Sequence, residues 1–199
     1  MKVVGLTGGT GSGKGVVSRK LEQAGAYVVD ADVIAHEIIE KGKPAYLEIV
    51  EYYGRDILDA EENIIRRKLG EIVFHDAEKL AFLNRCTHKY INAETERQIA
   101  QTKQAGTAKA IILDAPLLLE AGLDALCDRV WVVYADSEVR AKRIMARDNV
   151  TYELAKARIG SQKSWEEYKK AADAVIDNSG DVEGLDSQLQ KLLEELDRC

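Results

Sequence analysis

The stretch Gly8-Gly9-Thr10-Gly11-Ser12-Gly13-Lys14 decides the fold of this chain. An apolar run before it, residues 2–7, predicts a buried strand, and residues 16–21 after it predict the first turns of a helix. This order of strand, glycine-rich loop, lysine and helix is typical of a phosphate-binding P-loop. The glycines let backbone N–H groups converge on a phosphate, while the helix N-terminus and Lys14 add positive charge. The alternative, a glycine-rich turn without a ligand, does not explain why all three features occur together.

Position 15 departs from the P-loop motif. The pattern G-x-x-x-x-G-K-[ST] is matched at Gly8, Gly13 and Lys14 and is then broken at Gly15. The motif places a Ser or Thr there, whose hydroxyl binds Mg²⁺ beside the phosphates. Because glycine has no side chain, we expect a water to fill that place in the metal shell and the coupling to Mg²⁺ to be weaker.

Length and composition restrict the class of protein. A chain of 199 residues fits one domain of moderate size with insertions. A net charge of -6 argues against a general nucleic-acid or membrane-surface binder. Cys86, Cys127 and Cys199 are widely spaced, so neither a disulfide framework nor a zinc site is expected. The sequence starts in a predicted strand rather than in a secretory signal, and no apolar run is long enough to span a bilayer. The cysteine usage fits a reducing compartment. These features predict a cytoplasmic protein.

Two aspartates close the second predicted strand. Residues 26–30 are largely apolar and end in Asp30, so the first 30 residues form a βαβ unit, which implies a parallel sheet. Ligands of parallel sheets collect at the carboxyl ends of the strands. Asp30 and Asp32 could therefore bind Mg²⁺ or accept a proton from an attacking hydroxyl, or one of them could only cap the next helix. We expect Asp30 to be the cap and Asp32 to be the chemical group.

Residues 33–106 are predicted to be helical and to form an inserted subdomain. Pro44 and Gly54 mark the start and the end of one helix, and a long helix is predicted from about residue 77 to residue 99. This is more helix than a simple crossover between strands needs. The tyrosines of this segment could stack on a base, but their helical spacing favours a place in the core. They are Tyr46, Tyr52, Tyr53 and Tyr90.

Three further apolar runs, residues 110–114, 130–134 and 173–177, complete a predicted five-stranded sheet. The first of them ends in Asp114, as a Walker B strand ends in an acid, and that carboxylate would hold Mg²⁺ directly or through water. The alternative is an aspartate that merely caps the segment that follows.

A row of arginines follows the fourth predicted strand. Arg140, Arg143 and Arg147 share one face of a predicted helix, and Arg158 follows in a second helical piece near Gln162. Such a row is usually solvated, but beside a phosphate site it can form a lid that clamps the transferring phosphoryl group. We favour the lid, because this helix would overhang the carboxyl edge of the sheet.

Together these motifs resemble the dephospho-CoA kinase family, within the nucleoside-monophosphate-kinase group of P-loop proteins. The resemblance covers nearly the whole chain and rests on residues 6–14, 30–36, 66–74, 114–120 and 176–180. Many NTPases share the P-loop, whereas its combination with Asp-Ala-Asp and Asp-Ala-Pro-Leu-Leu is far more specific. The resemblance implies ATP-dependent phosphorylation of the ribose 3′-hydroxyl of dephospho-CoA, which gives CoA and ADP in the last step of CoA biosynthesis.

The same resemblance implies the architecture. We expect a three-layer α/β P-loop fold with a five-stranded parallel sheet, forming a single kinase domain over residues 1–199. The core would comprise about residues 1–32, 107–137 and 166–199, the helical CoA-binding insertion about residues 33–106, and the helical lid about residues 138–165. The partner would be dephospho-CoA, with no nucleic acid or membrane partner, and the protein would be a monomer or a weak homo-oligomer.

The family also implies roles for individual residues. The catalytic residues would be Asp32 as the base, with Lys14, Arg143 and Arg147 as positive charges. ATP would be bound by Gly9, Thr10, Gly11, Ser12, Gly13, Lys14, Gly15, Val16 and Asn178. Dephospho-CoA would be bound by Asp32, Arg66, His88, Pro116 and Leu117, and Mg²⁺ by Asp114 and Asp32. Lys89 stands where the family has a proline after the histidine.

Three other functions remain as alternatives from the residues themselves. The first is a protein that holds ATP without transferring phosphate, which only Gly15 favours. The second is a GTPase switch, but the Asn-Lys-x-Asp guanine motif does not occur. The third is another small-molecule kinase that acts on a nucleotide or a shikimate-like alcohol. Only the helical insertion and the Asp-Ala-Asp context argue against it.

Overall fold

A computed structural model describes residues 1–180 and 182–197, so that Cys199 lies outside the described residues. Five strands form one parallel sheet in the order β2-β3-β1-β4-β5. They are β1 (Val3–Thr7), β2 (Tyr27–Asp30), β3 (Ile111–Asp114), β4 (Arg129–Tyr134) and β5 (Ala174–Asp177). The predicted α/β class and the five predicted strands are confirmed. The three inner strands are largely buried, whereas the edge strands β2 and β5 expose residues such as Tyr27 and Val175.

The helices of the described residues lie between and after the strands. They are α1 (Lys14–Gln23), α2 (Ala31–Glu37), α3 (Pro44–Tyr53), α4 (Arg66–Val73), α5 (Ala77–Ala105), α6 (Ser137–Asp148), α7 (Tyr152–Gly160), α8 (Trp165–Ala171) and α9 (Val182–Asp197). The predicted ends of α3 are confirmed: Pro44 is its first residue and Gly54 its C-cap. Proline suits the first turn because the N–H that it lacks would have no partner there.

The strand β1 lies at the centre of the sheet, and all of its residues are buried. Val4 and Leu6 pack on one face in a core to which α1 and α9 contribute. Gly5 points to the other face, where an added Cβ would collide with the side chain of Leu118 and the Sγ of Cys127. The centre of the sheet is therefore covered on both faces, which fixes the direction in which β1 delivers the loop that follows it.

The chain divides into two compact units, Met1–Val29 with Ile99–Cys199 and Asp30–Gln98. We call the first the sheet unit and the second the helical unit. All five strands begin in the sheet unit, together with α1 and α6 to α9. The helical unit comprises α2, α3, α4 and most of α5.

The helical unit has its own apolar core, and its tyrosines differ in their burial. Tyr46 is buried, as expected for a core residue, and Tyr53 and Tyr90 are half-buried. Tyr52, by contrast, is 48% exposed and stacks on Phe82 with ring centroids 3.7 Å apart. The core prediction is wrong for Tyr52, because aromatic stacking on a neighbouring helix can hold a tyrosine at the surface.

The predicted lid region forms a helical hairpin within the sheet unit. Asn149 adopts the left-handed conformation that ends α6, and the Thr151 side chain caps the N-terminus of α7. The two helices bury Ala141, Ile144 and Ala155 between them. The hairpin therefore has a small core of its own, which keeps the arginine-bearing face of α6 in a fixed orientation.

Among residues 1–180 and 182–197, no helix is both long enough and apolar enough to cross a membrane.

Candidate functional site

The loop between β1 and α1 has the backbone of a phosphate cradle. Gly11 and Gly13 have positive φ angles of 78° and 87°, which favour glycine. An added Cβ on Gly13 would also overlap the side-chain amide of Asn178. Since α1 begins at Lys14, the N–H groups of Lys14 and Gly15 belong to the first turn, which lacks acceptors from a preceding turn. These N–H groups and the helix dipole make the loop a site for an anion.

Lys14 forms an ion pair with Asp114 beside this loop. The pairing follows from the topology, because β1 and β3 are neighbours and Asp114 lies in register with Leu6 near the end of β1. Both side chains are largely buried, with 17% of Lys14 and 7% of Asp114 exposed. The structure thus places the Walker B-like acid directly against the P-loop lysine, and the capping alternative does not account for this contact.

A cavity of about 450 Å³ opens over the loop. Its walls are glycine backbone, cationic side chains and one amide side chain. They comprise Gly8, Gly9, Thr10, Gly11, Ser12, Gly13, Lys14, Gly15, Pro116, Arg143, Ile144, Arg147 and Gln162. The Ser12 hydroxyl is buried and finds no hydrogen-bond partner among the described residues. A phosphate chain fits this set of donors, since it would accept bonds from the hydroxyl, the backbone N–H groups and the cations.

The residues present fit Mg²⁺ only as a site with few protein ligands. No group of three or more His, Cys, Asp or Glu side chains among the described residues could hold a metal ion. Asp114 offers one carboxylate at the loop, and Mg²⁺ commonly takes one or two carboxylates with waters and phosphate oxygens. Gly15 adds no ligand, and open space surrounds the position of its missing Cβ.

Arg143 is bound to the backbone of the loop. Its Nη1 donates to the carbonyls of Gly11 at 3.4 Å and Ser12 at 3.1 Å, and its Nη2 donates to the carbonyl of Asn178 at 2.9 Å. Asn178 is buried after β5, and its amide nitrogen donates to the same Ser12 carbonyl at 2.7 Å. Both predicted site residues therefore lie at the loop, where they hold its backbone.

Arg147 has a different partner. Its guanidinium forms two bonds to the Asp148 carboxylate, at 2.7 and 3.0 Å, and Arg158 of α7 reaches the same carboxylate at 2.5 Å. The two arginines lower the pKa of Asp148. Arg147 nevertheless lines the cavity, and its partner is a half-buried carboxylate of the same hairpin.

The outer residues of the predicted site differ in exposure. Pro116 lines the cavity, and its carbonyl accepts a 3.2 Å bond from the buried Thr7 hydroxyl. Leu117 is 61% exposed. Val16 is also exposed, on the outer side of α1.

In the helical unit, Asp30 caps a helix as predicted, whereas the chemical role of Asp32 stays a prediction. Asp30 is the N-cap of α2 and accepts from the N–H groups of Asp32 and Val33 at 2.8 and 3.1 Å. The Asp32 side chain is exposed, and its backbone carbonyl lies 2.6 Å from His36 Nδ1. Arg66 Nη1 lies 2.7 Å from His36 Nε2. Because arginine can only donate, His36 accepts at Nε2 and carries its proton at Nδ1.

Lys89 has a structural partner that explains the lysine at this position. Its Nζ lies 2.8 Å from Glu48 Oε1, and the Tyr90 hydroxyl donates to the same oxygen at 2.5 Å. These two donors lower the pKa of Glu48 to about 2. The ion pair joins α5 to α3, while His88 itself lies exposed on α5. The lysine therefore tethers two helices of the helical unit.

The cysteines of the described residues are not reactive groups. Cys86 is buried, and burial raises the pKa of its thiol to about 11. Burial likewise raises the pKa of Cys127 to about 12. Both thiols stay protonated at neutral pH, so neither is activated as a nucleophile.

Sequence patterns did not assign four polar residues of these networks. Gln162 and Arg140 contact Thr10 in the loop, at 2.7 and 2.8 Å. Asp148 holds the two arginines of the hairpin, and His36 links Asp32 to Arg66. The arginine row indicated Arg140, and the Asp-Ala-Asp motif extends to His36, but no spacing rule pointed to Gln162 or Asp148.

Comparisons with known proteins agree with one another. Residues 2–184 match the family model described as dephospho-CoA kinase. A dephospho-CoA kinase of Bacillus cereus is 45% identical over 191 residues, which is 96% of this chain and 95% of that protein. One from Carboxydothermus hydrogenoformans is 43% identical over 98% of this chain and 94% of that protein. The solved structure of dephospho-CoA kinase from Campylobacter jejuni is 30% identical with a TM-score of 0.73, covering 98% of this chain and 96% of that chain.

Proposed function

The chain belongs to the dephospho-CoA kinase family, and on this premise we propose how its residues divide the work of the reaction. The enzyme phosphorylates dephospho-CoA in the biosynthesis of CoA. We propose ATP as the phosphate donor and the ribose 3′-hydroxyl as the acceptor, with ADP as the second product. The observation that carries the assignment of the donor site is the buried pair of Lys14 and Asp114 beside a glycine loop, under a cavity lined by Arg143 and Arg147.

The loop and Lys14 would bind the phosphates of the donor. The first-turn N–H groups of α1 and the unpartnered Ser12 hydroxyl supply neutral donors, and Lys14 supplies the charge. Phosphoryl transfer depends mostly on positioning and electrostatics, so that removal of one such group costs about 10²–10³-fold in turnover.

Asp114 is the protein ligand that we propose for Mg²⁺. When bound, Mg²⁺ would supply positive charge that offsets the negative charge of the phosphates. Asp114 can serve it because its carboxylate lies at the end of β3, against the loop. Asp114 also keeps Lys14 in place, since the pair is largely buried and each charge offsets the other.

Arg143 and Arg147 would have different roles. Arg143 is engaged by three backbone carbonyls, and we propose that it mainly fixes the loop against the residue that follows β5. Arg147 is itself exposed and is bound to its half-buried neighbour, Asp148. We propose that Arg147 stabilises the charge that develops on the transferring phosphoryl group.

Asp32 is proposed to orient and deprotonate the acceptor hydroxyl. Two observations at the start of α2 support this proposal. The Asp30 carboxylate accepts hydrogen bonds from the N–H groups of the first turn, and the Asp32 side chain is exposed at the surface. We also propose that Asp32 contributes to the metal shell. Arg66, aligned by His36, would bind an anionic part of dephospho-CoA, and His88, Pro116 and Leu117 remain candidate substrate contacts.

One assay tests the substrate assignment. ADP release is measured with ATP and a panel of dephospho-CoA, nucleoside monophosphates and small alcohols. Only dephospho-CoA should drive rapid release and give a 3′-phosphorylated product. Faster turnover with another acceptor would contradict the assignment, and slow ATP hydrolysis with every acceptor would favour an ATP-binding protein without transfer.

We further infer a cytoplasmic enzyme that is a monomer or a weak homo-oligomer. The proposed substrate and donor, both small soluble molecules, support this localisation. Light scattering coupled to size-exclusion chromatography, over a range of protein concentrations, would reveal a stable oligomer and so contradict the inferred state.

A further inference from the structure

The peptide groups on both sides of Thr10 are held from outside the loop. The N–H of Thr10 donates to Gln162 Oε1 at 2.7 Å, and the carbonyl of Thr10 accepts from Arg140 Nε at 2.8 Å. Arg140 Nη2 also lies 3.3 Å from the same Gln162 oxygen. The three residues form a closed network, which we call the Thr10 clamp.

The loop is fitted closely to Arg140. An added Cβ on Gly9 would overlap the Arg140 guanidinium, and one on Gly11 would lie 2.7 Å from the Arg140 carbonyl. The glycines at these positions therefore let the tip of the loop rest on the start of α6. A shift of Arg140 would have to move the loop with it.

Stability alone does not account for Arg140 at this place. Its guanidinium is half-buried, and this burial lowers its pKa. Its two hydrogen-bond acceptors, the Thr10 carbonyl and the Gln162 amide, are neutral. Partial desolvation of a charged group beside neutral acceptors costs free energy. The need to hold the loop in position is a physical reason for an arginine at this place in spite of that cost.

Gln162 connects the loop to the far end of the helical hairpin. It lies just after α7, 152 residues from Thr10 in sequence, and it lines the cavity over the loop. Arg140 lies in α6, the other helix of the hairpin. Thr10 of the phosphate loop is thus held by a residue within α6 and by a residue that follows α7.

We propose that Arg140 and Gln162 are positioning residues that set the conformation of the phosphate loop for the donor nucleotide. By fixing Thr10 they orient the loop N–H groups that receive the phosphates before the nucleotide arrives, which removes the need to order the loop on binding. This inference rests on the proposed donor site. It assigns to the hairpin a second task besides carrying Arg147.

The inference requires an effect that depends on phosphate. The loop should contribute to the binding of ADP, which carries a β-phosphate, and not to the binding of adenosine, which has none. Loss of the clamp should therefore change the ratio of the two affinities. A purely structural role would change the melting temperature or both affinities together.

The experiment compares Gln162→Met with the matched control Gln190→Met, since Gln190 is an exposed residue of α9 whose side chain donates to Glu194 at 3.1 Å. Methionine has about the length of glutamine but accepts no strong hydrogen bond, so Gln162→Met leaves the Thr10 N–H without its partner. Calorimetry on the full chain gives the Kd of ADP and of adenosine, and steady-state kinetics give the KM for ATP and kcat.

We expect Gln162→Met to weaken ADP binding about tenfold, the effect of one unsatisfied donor, and to change adenosine binding less than twofold. The KM for ATP should rise more than kcat falls. Arg140→Met should act in the same direction, and the double variant should lose less than the product of the two single effects, because both residues hold the same loop residue.

Equal loss of ADP and adenosine affinity in Gln162→Met, or no loss in either, would overturn the inference. So would multiplicative effects of the two substitutions, since they would show that Arg140 and Gln162 act separately. A wild-type protein that bound neither ADP nor ATP would instead refute the proposed donor site, and the inference with it. The wild-type measurement therefore separates the two failures.

Discussion

Replacement of Gly15 by serine should lower the Mg²⁺ concentration that the enzyme needs for activity. It should also stabilise α1. Gly15 is the second residue of α1 and is exposed, with no atom within 4 Å of the position of a Cβ. A serine side chain can therefore be added without a clash. It would restore the hydroxyl that the P-loop motif places beside the metal.

Two magnitudes follow from this geometry. Glycine within a helix costs about 0.5–1 kcal/mol relative to alanine, and serine recovers about half of that. For a domain of this size, about 1 kcal/mol shifts Tm by roughly 2–4 °C, so Gly15→Ala should raise Tm by about 1–4 °C and Gly15→Ser by less. One further metal ligand, if worth about 1 kcal/mol, lowers the Mg²⁺ concentration for half-maximal activity about fivefold.

The assay titrates Mg²⁺ at saturating ATP and dephospho-CoA, and differential scanning calorimetry gives Tm. Gly15→Ala is the control, because it changes the helix propensity without adding a hydroxyl. We expect only Gly15→Ser to shift the Mg²⁺ titration, while both variants raise Tm. If the serine and alanine variants show the wild-type Mg²⁺ dependence, the metal shell is already complete without this hydroxyl, and the reasoning about Gly15 is refuted.

Three further predictions concern the base, the cavity arginine and the helical unit. Asp32→Asn should abolish turnover and leave ATP binding nearly unchanged, because the amide cannot accept the proton; turnover within a few-fold of wild type would remove Asp32 from the chemistry. Arg147→Ala should lower kcat more than ATP affinity, as expected for a charge that acts in the transition state, and an effect on the KM for ATP alone would contradict this role. Lys89→Ala should remove stability that depends on ionised Glu48. Since the pKa of Glu48 is lowered to about 2, the urea midpoints of wild type and variant should differ above pH 4.5 and converge as the pH falls towards 2. A difference that persists unchanged at low pH would show that the lysine acts through packing.

The sheet and its loop were predictable because the physics that forms them is local. Residues 3–6 and 110–113 are runs of apolar residues and glycine that are too short for helices. The glycine-rich loop follows the first run after Thr7, and Asp114 follows the second. Parallel order then places Asp114 and the loop at one edge of the sheet. The contact of Lys14 with Asp114 is thus a consequence of strand order. The βαβ pattern indicates parallel strands from sequence alone, but it does not indicate that β3 lies between β1 and β2.

The side-chain networks were not predictable, because their partners are distant in sequence and chemically ordinary. The contact of Gln162 with Thr10 spans 152 residues, and no periodicity distinguishes this glutamine from others. The role of Lys89 was likewise not predictable from the sequence. It departs from the family pattern, and only its Glu48 contact reveals that the lysine serves the packing of two helices.

The arginine row shows what periodicity can and cannot decide. Spacing correctly placed Arg140, Arg143 and Arg147 on one face of α6, but the three have different partners. Arg140 and Arg143 donate to backbone carbonyls of the loop, so the departure of either would break bonds that hold the loop in shape. Arg147 is 63% exposed and is bound to its neighbour Asp148, whose carboxylate also accepts from Arg158 and so keeps a partner when Arg147 leaves. Arg147 is therefore the arginine of the row that can turn to a phosphoryl group without dismantling the site, and the loop is held in shape by the two that cannot.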